Sequence, residues 1–258
     1  MADRSTAGRS TANRRSWRGV KALAALGIGT LAAEAAYAVL RKVPFQEEFD
    51  ASATLGPVDG QPLLMVVVGD SSCTGPGVRE PSEIWCHLVA AKIAERGRRV
   101  TIKSFALGGA TSSSALQTQV PEAETLDADL TFVAIGTNDV IHQVSLATLE
   151  KNLDETVRRL SRVSKQVVVA GIGDLGTVPR LLPPLRQLAS RRGRRADAVQ
   201  ALVAERHGSI KADLWGAAAE AFRTDRSIFS ADLFHPAAPG HLVWAEAAWE
   251  ALEPHLDV

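Results

Sequence analysis

The sequence predicts an α/β protein: a three-layer α/β/α sandwich built on about five parallel strands and preceded by an N-terminal hydrophobic helix. Three observations carry this. The run Leu63-Leu64-Met65-Val66-Val67-Val68 is apolar at consecutive positions, as expected of a strand buried on both faces of a parallel sheet. From residue 62 onward such short apolar runs alternate with helical patterns, the signature of βαβ units. Glycines and small polar residues follow the runs directly, where strand-to-helix turns are required.

Taken in order, the first strand is expected at about 63–69, broken by Gly69. A helix at about 82–96 carries Ile84, Trp85, Leu88, Val89 and Ala91 on one face, with Lys92 and Glu95 marking the solvent side and Gly97 ending it. Val100 to Ala106 is rich in β-formers and reads as the second strand, with a short helix at 112–120 before Pro121. Leu130 to Ile135 is the third strand, followed by a well-patterned helix at 145–164. Gln166 to Ile172 is the fourth strand, Pro183-Pro184 precede a basic helix to about 206, and Ser209 to Leu214 is a weaker fifth strand. The last helix, about 239–252, carries Leu242, Val243, Ala245, Trp249 and Leu252.

The chain's 258 residues suffice for one such domain, 62–258, plus an extension. Its formal net charge is zero, so the composition offers no electrostatic argument for nucleic acid. Residues 1–18 hold Arg4, Arg9, Arg14, Arg15 and Arg18 against Asp3 and read as a basic, disordered tail. At 19–42 an apolar segment, interrupted by Glu34 and closed by Arg41-Lys42, has the pattern of an export signal or anchor, and Ala36-Tyr37-Ala38 offers a cleavage site. A retained anchor is preferred. About 20 apolar residues cross a bilayer, and Glu34 lies towards the far end, away from mid-bilayer, where a carboxylate costs roughly 2.5–3.5 kcal/mol. The tail arginines would keep the amino terminus inside and the domain outside the cytoplasm, tethered to or exported across the membrane. A docking helix on a cytosolic protein is the third reading. Residues 43–61, with Pro44, Gly56, Pro57 and Gly60, read as a polar linker. Cys73 and Cys86 make neither a disulfide framework nor a zinc site; one bridge in an exported domain and two reduced core thiols both fit.

The turns carry the chemistry. The first strand is followed by Asp70-Ser71-Ser72, the second by Gly108-Gly109-Ala110-Thr111-Ser112, and the third by Gly136-Thr137-Asn138-Asp139. In a parallel sheet these lie at one edge, where ligands bind. A hydroxyl, a glycine backbone open to close approach and an amide donor are thereby gathered, the layout that acyl transfer requires. Of the six histidines, His87 and His241 fall within helices, His207 just past one, His255 near the terminus and His142 near the third turn. His235 differs, standing in Asp232-Leu233-Phe234-His235-Pro236 before the last helix. There Asp232 either caps a turn or accepts the imidazole Nδ1–H, which leaves Nε2 free as a base.

In this fixed order the segments resemble the SGNH, or GDSL-type, hydrolase family. Gly69-Asp70-Ser71 is similar to its first block, Gly109 with Ala-Thr-Ser to its second, Gly136-Thr137-Asn138-Asp139 to its third and Asp232-x-x-His235 to its fifth. The resemblance spans about 62–252. It implies a flavodoxin-like fold and a serine esterase or lipase-type hydrolase acting on carboxylic esters through an acyl-enzyme, without cofactor or metal. Ser71 would be the nucleophile, His235 the base and Asp232 its orienter, with an oxyanion hole from the Ser71 and Gly109 N–H groups and the Asn138 side chain. Ser72 stands where the family usually has Leu, and Ser104 where an Asn often precedes the second-block glycine, so Gly108 is an alternative to Gly109.

Other motifs fail. Gly75-Pro76-Gly77-Val78-Arg79-Glu80 ends in Glu where a dinucleotide fingerprint needs Gly. Cys73 replaces the second glycine of G-x-S-x-G, and no H-E-x-x-H is present. The run Arg191, Arg192, Arg194 and Arg195 reads as a solvated face. Alternatives to the hydrolase are a membrane-tethered carbohydrate- or lipid-binding protein on the same scaffold and an acyltransferase. The expected partners are a small-molecule or cell-envelope ester and, through the N-terminal segment, a membrane.

Overall fold

The computed structural model of the chain describes Lys21, residues 29–37, 40–42, Pro44 and 46–256. The tail at 1–18 and the apolar stretch at 22–28 lie outside the described residues; 29–37 are helical.

The predicted α/β/α sandwich is present. Its sheet comprises β1 (Ala53–Leu55), β2 (Gln61–Gly69), β3 (Arg98–Ser104), β4 (Ala128–Ala134), β5 (Ser164–Ala170) and β6 (Ile210–Ala212), in the order β1-β3-β2-β4-β5-β6. β2 to β6 pair in parallel, and the short β1 runs antiparallel on the edge of β3. β1 falls inside the stretch read as a linker; three residues are too few for an alternating pattern to register in sequence. That stretch is tied down elsewhere too, with Phe49 N–H donating to Thr74 O at 2.8 Å and Ala51 O contacting His87 Nε2 at 2.7 Å.

The apolar run in β2 feeds both faces of the sheet. Met65 and Val67 pack with Ile84, Trp85, Val89 and Ile93 of α2 (Trp85–Glu95) and its entry, and with Ala245, Trp249 and Leu252 of the C-terminal helix. Val66 and Val68 point the other way, into a layer formed by α3 (Ser112–Thr118), α4 (Val120–Ala123), α6 (Leu146–Leu160) and α7 (Leu185–Arg206). Each such side chain, fully buried, contributes about 1.5–3 kcal/mol, which is why no polar residue interrupts the strand. α6 follows from its spacing: Leu149, Leu153, Val157 and Leu160 recur at helical intervals and are buried, and the Ser145 hydroxyl accepts the Thr148 N–H at 3.0 Å to start the helix.

The remaining helices are short α1 (Ser71–Thr74) and α5 (Thr137–Ile141), then α8 (Ala217–Thr224) and α9 (Ala238–Leu252). α1, α3 and α5 begin within the three turns singled out after the strands, and α9 begins just past the Asp232–Pro236 loop. Both cysteines are free and buried. Burial pushes the Cys86 thiol up to about 12 and the Cys73 thiol well above its ordinary value.

Candidate active site

Ser71 is the first residue of α1, at the carboxyl end of β2. The strand end ahead of it is latched by Gln119, whose side chain accepts the Gly69 N–H and donates to the Gly69 carbonyl, both at 2.9 Å. Asp70 caps α1, accepting the Ser72 N–H at 2.9 Å, and Gly75 closes the turn with φ near 67°. These contacts fix the direction in which Ser71 leaves the sheet.

Its counterpart is the loop before α9. Asp232 Oδ1 accepts three bonds, from the Ser230 hydroxyl at 2.7 Å, the Phe234 N–H at 2.8 Å and the His235 N–H at 2.9 Å. Its Oδ2 faces His235 Nδ1 at 2.6 Å. The loop is closed further by Ser230 N–H donating to His235 O at 2.8 Å, and Leu233 turns it with φ of 61°. A non-glycine residue there stores about 1–2 kcal/mol of strain, which the bonds around Asp232 hold in place. Both readings of Asp232 from the sequence are therefore realised at once: one oxygen organises the turn, the other orients the imidazole. Burial opposes the Asp232 charge, but the bonds from His235 and Ser230 outweigh it and hold the carboxyl below the usual carboxylate range.

The two pieces meet. His235 Nε2 lies 3.2 Å from Ser71 Oγ, joining residues 164 positions apart. Gly77 permits the approach: a side chain there would strike Pro236 O and the Ser230 Cβ, so the loop after α1 can lie against the histidine loop only as glycine backbone.

The second and third turns converge on the same place. Asn138 Nδ2 donates to Ala110 O at 3.1 Å and faces Asp70 Oδ2 at 3.4 Å, so its amide lies between the neighbour of Gly109 and the neighbour of Ser71. Gly109 has φ of 73° and borders open space, whereas a side chain at Gly108 would strike the Glu48 carboxylate. A buried relay keeps these turns in register: Asp139 accepts the Ser112 N–H at 2.8 Å and its hydroxyl at 2.5 Å, and Asn152 Nδ2 donates to that hydroxyl at 3.1 Å. Gln119 and Asn152 went unnoticed in the sequence, because nothing local distinguishes them from ordinary helix residues.

Asp70 is buried beside this constellation, and burial raises its carboxyl to about 6 against hydrogen bonds from Ser72 and the attraction of His235, which lower it. The unfolded chain releases this proton first, so the Asp70 contribution to stability is complete below about pH 4 and is lost as pH rises through about 6. The gap corresponds to about 3 kcal/mol. Asp70→Asn is expected to remove that loss. Denaturant midpoints measured from pH 4 to 8 should be higher for the variant on the alkaline side, with the difference vanishing towards pH 4; parallel curves would contradict this.

The other histidines are elsewhere. His142 is exposed at the end of α5, His255 is exposed near the terminus, and His207 pairs with Asp154 at 3.1 Å. His241 is buried, accepts the Trp85 N–H at 3.3 Å through Nδ1 and is pushed down to about 3, chiefly by burial and then by the charge of His235, so it stays neutral. Among the described residues, no group of three or more His, Cys, Asp or Glu is placed to hold a metal ion. Arg191, Arg194 and Arg195 are exposed on α7, with Arg194 stacked over Trp215 at 5.4 Å.

A cleft opens next to Ser71 and His235. Leu175, Val178, Leu214, Phe222, Phe229 and Trp244 give it an apolar wall. Phe222 stacks on Trp244, with ring centres 5.6 Å apart, and meets Phe229 edge-on at 5.2 Å. These residues come from the loop after β5, the region of α8 and the start of α9. Aromatics are scarce in the chain, and nothing in their spacing hints that these would gather here.

Sequence and fold were compared with those of known proteins. A profile of the GDSL-like Lipase/Acylhydrolase family matches residues 67–243. The GDSL-like esterase Rv1075c of Mycobacterium tuberculosis (strain ATCC 25618 / H37Rv) is 31% identical over 195 residues, 74% of this chain and 62% of its own length, so the chain spans less than two thirds of that relative. Among solved structures, TesA superposes with a TM-score of 0.63 at 23% identity, covering 75% of this chain and 99% of TesA. An acetyl xylan esterase from Geobacillus stearothermophilus gives 0.60 at 19% identity, covering 75% and 95% of the two chains. These likenesses bear on the fold, while the profile covers more than half of the sequence and all the turns described above. On that match the chain belongs to the GDSL-like lipase/acylhydrolase family.

Proposed function

We propose that the protein is a serine esterase, hydrolysing carboxylic esters through an acyl-enzyme on Ser71. The Ser71 oxygen attacks the ester carbonyl while its proton passes to His235 Nε2, and Asp232 holds the opposite ring nitrogen protonated and stabilises the imidazolium. The Ser71 and Gly109 N–H groups and Asn138 Nδ2 receive the oxyanion. Collapse expels the alcohol, which takes the proton from Nε2. Water then attacks the acyl-serine with His235 again as base, releasing the acid and free Ser71. The observation that carries this reading is the unbroken Asp232–His235–Ser71 contact, at 2.6 and 3.2 Å.

A fluorophosphonate probe tests it. The purified protein should gain the phosphonyl mass on the Ser71 peptide and lose p-nitrophenyl butyrate hydrolysis in step, while Ser71→Ala should neither label nor turn over. A folded protein that binds ester but does not label would instead be a non-catalytic binding protein.

We also propose that the segment at 19–42 is retained and tethers the domain to the outer face of a membrane. The Arg-rich tail favours that orientation. Glu34 Oε2 accepts the Leu185 N–H at 3.1 Å, which sets residues 29–37 against the start of α7 and would be lost on cleavage after Ala38. Tyr37, Leu40, Leu182 and Leu188 are exposed apolar residues of the two segments. Among the described residues no helix is long and apolar enough to cross a membrane. Cell fractionation with a carboxyl-terminal tag should place the full-length chain with membranes and leave the tag open to external protease; full-length protein confined to cytosol would refute the tether.

A further inference from the structure

Resting on the membrane tether proposed above, we propose that the outer face of α7 is a docking surface for an anionic bilayer, lying along the lipid headgroups beside the tether. Leu188, Arg191, Arg195 and Leu202 follow one another at helical spacing along that face, and all four are exposed. Leu182, in the loop leading into the helix, is exposed as well. From Leu185 to Ala196 the helix holds Arg186, Arg191, Arg192, Arg194 and Arg195 and no acid. Some of this charge is occupied within the domain. Arg186 Nε donates to Leu181 O at 2.7 Å, Arg192 Nη2 donates to Val144 O, and Arg194 lies over Trp215. Arg191 and Arg195 have no ion-pair partner among the described residues.

Single exposed leucines need no partner, and arginines alone are satisfied by water. Here the two share one face. That mixture suits the boundary between headgroups and acyl chains, where leucines enter the apolar side and guanidinium groups reach the phosphates. An acidic polymer in solution would satisfy the arginines and leave the leucines in water. The neighbouring chain argues for lipid too. Glu34 Oε2 accepts the Leu185 N–H at 3.1 Å, so the helical residues 29–37 meet α7 at its first residue, and residues 22–28 just before them are apolar in sequence. A tether entering the bilayer there brings α7 to the headgroups. The chain as a whole has zero formal net charge, so the attraction belongs to this face and not to the protein at large. The same surface borders the site: the Ser190 hydroxyl donates to Asp174 Oδ1 at 2.7 Å, and Arg180 N–H donates to Leu233 O at 3.0 Å, in the loop that carries Asp232 and His235. Docking through α7 therefore holds that loop close to the lipid surface.

Both native cysteines are buried, so one cysteine added at the surface can carry a dye. Leu188→Cys puts it on the face, and Glu95→Cys puts it at the end of α2, in the opposite layer of the sandwich. The full-length chain is incorporated into phosphatidylcholine vesicles with or without phosphatidylglycerol, and quenching by a doxyl-labelled lipid is measured. With phosphatidylglycerol the dye at 188 should be quenched and the dye at 95 should not. Most of that quenching should be lost without the anionic lipid, or in about 1 M salt, where the Debye length is about 3 Å. Adding Arg191→Gln with Arg195→Gln should weaken the contact about thirtyfold, the combined worth of two arginines at an anionic surface, and leave p-nitrophenyl butyrate hydrolysis unchanged. No quenching at 188, or equal quenching at both positions, in protein that sediments with the vesicles would overturn the docking face and leave the tether standing. Protein that does not sediment would remove both. Emission from the dye at 188 that shifts with protein concentration before lipid is added would give the face to a second copy of the chain and overturn the proposal.

Discussion

Replacing His235 by alanine should lower kcat/KM for a p-nitrophenyl ester by about 10⁴–10⁶-fold. Without Nε2, 3.2 Å from the Ser71 oxygen, the hydroxyl has no acceptor for its proton, and the leaving alcohol has no donor. The effect should fall on kcat, since the imidazole acts on bonds that change only in the transition state. The side chain is about a quarter exposed, at 23%, so the fold should survive its truncation. The Asp232 carboxylate would keep its bonds from Ser230, Phe234 and the backbone of residue 235. Steady-state kinetics together with a thermal melt decide the matter. A melting temperature close to that of the parent with activity reduced less than tenfold would remove His235 from the mechanism.

The second large effect is expected at Asn138. Asn138→Ala should cost about 10²–10³ in kcat with little change in KM, the usual loss when one oxyanion donor is removed. In the resting protein the amide is held by Ala110 O and faces Asp70, so it is oriented before substrate arrives. Its strength as a donor depends on that preorganisation, and the relay from Asn152 through Ser112 to Asp139 supports it from the neighbouring residue. Rates for Asn138→Ala measured with acetate and butyrate esters should fall by the same factor, because the oxyanion is common to both. A loss confined to KM would assign Asn138 to ground-state binding instead.

The strands of this protein were legible because each is short, apolar and bounded by residues that break it. Leu63 to Val68 could hardly be anything but an interior strand, and its two faces are used as that reading requires, Met65 and Val67 on one side, Val66 and Val68 on the other. Ser71, Gly109, Asn138, Asp232 and His235 stood out as candidates for a different reason: each stands at a strand end or a helix start, where residue type is dictated by the turn as well as by chemistry. The difference in surroundings between Gly108 and Gly109 was not legible, because it depends on Glu48, a residue about sixty positions away that crowds the first of them. Helix α8 was missed as well, although it supplies Phe222 to the cleft.

Sequence alone determined the alternation of strand and helix, the identity of the turns at the sheet edge and the two roles open to Asp232 in its short loop. All of these depend on interactions within a few residues, through the two-residue period of strands, the 3.6-residue period of helices and the reach of a side chain to nearby backbone. Tertiary structure decided the rest. The order β1-β3-β2-β4-β5-β6 brings three turns to one edge. The glycine at 77 lets two loops close to the distance of a hydrogen bond, and side chains from three separate segments enclose an apolar cleft beside it. Such contacts join residues whose spacing along the chain carries no periodic trace, so only the packing of the whole domain could set their distances.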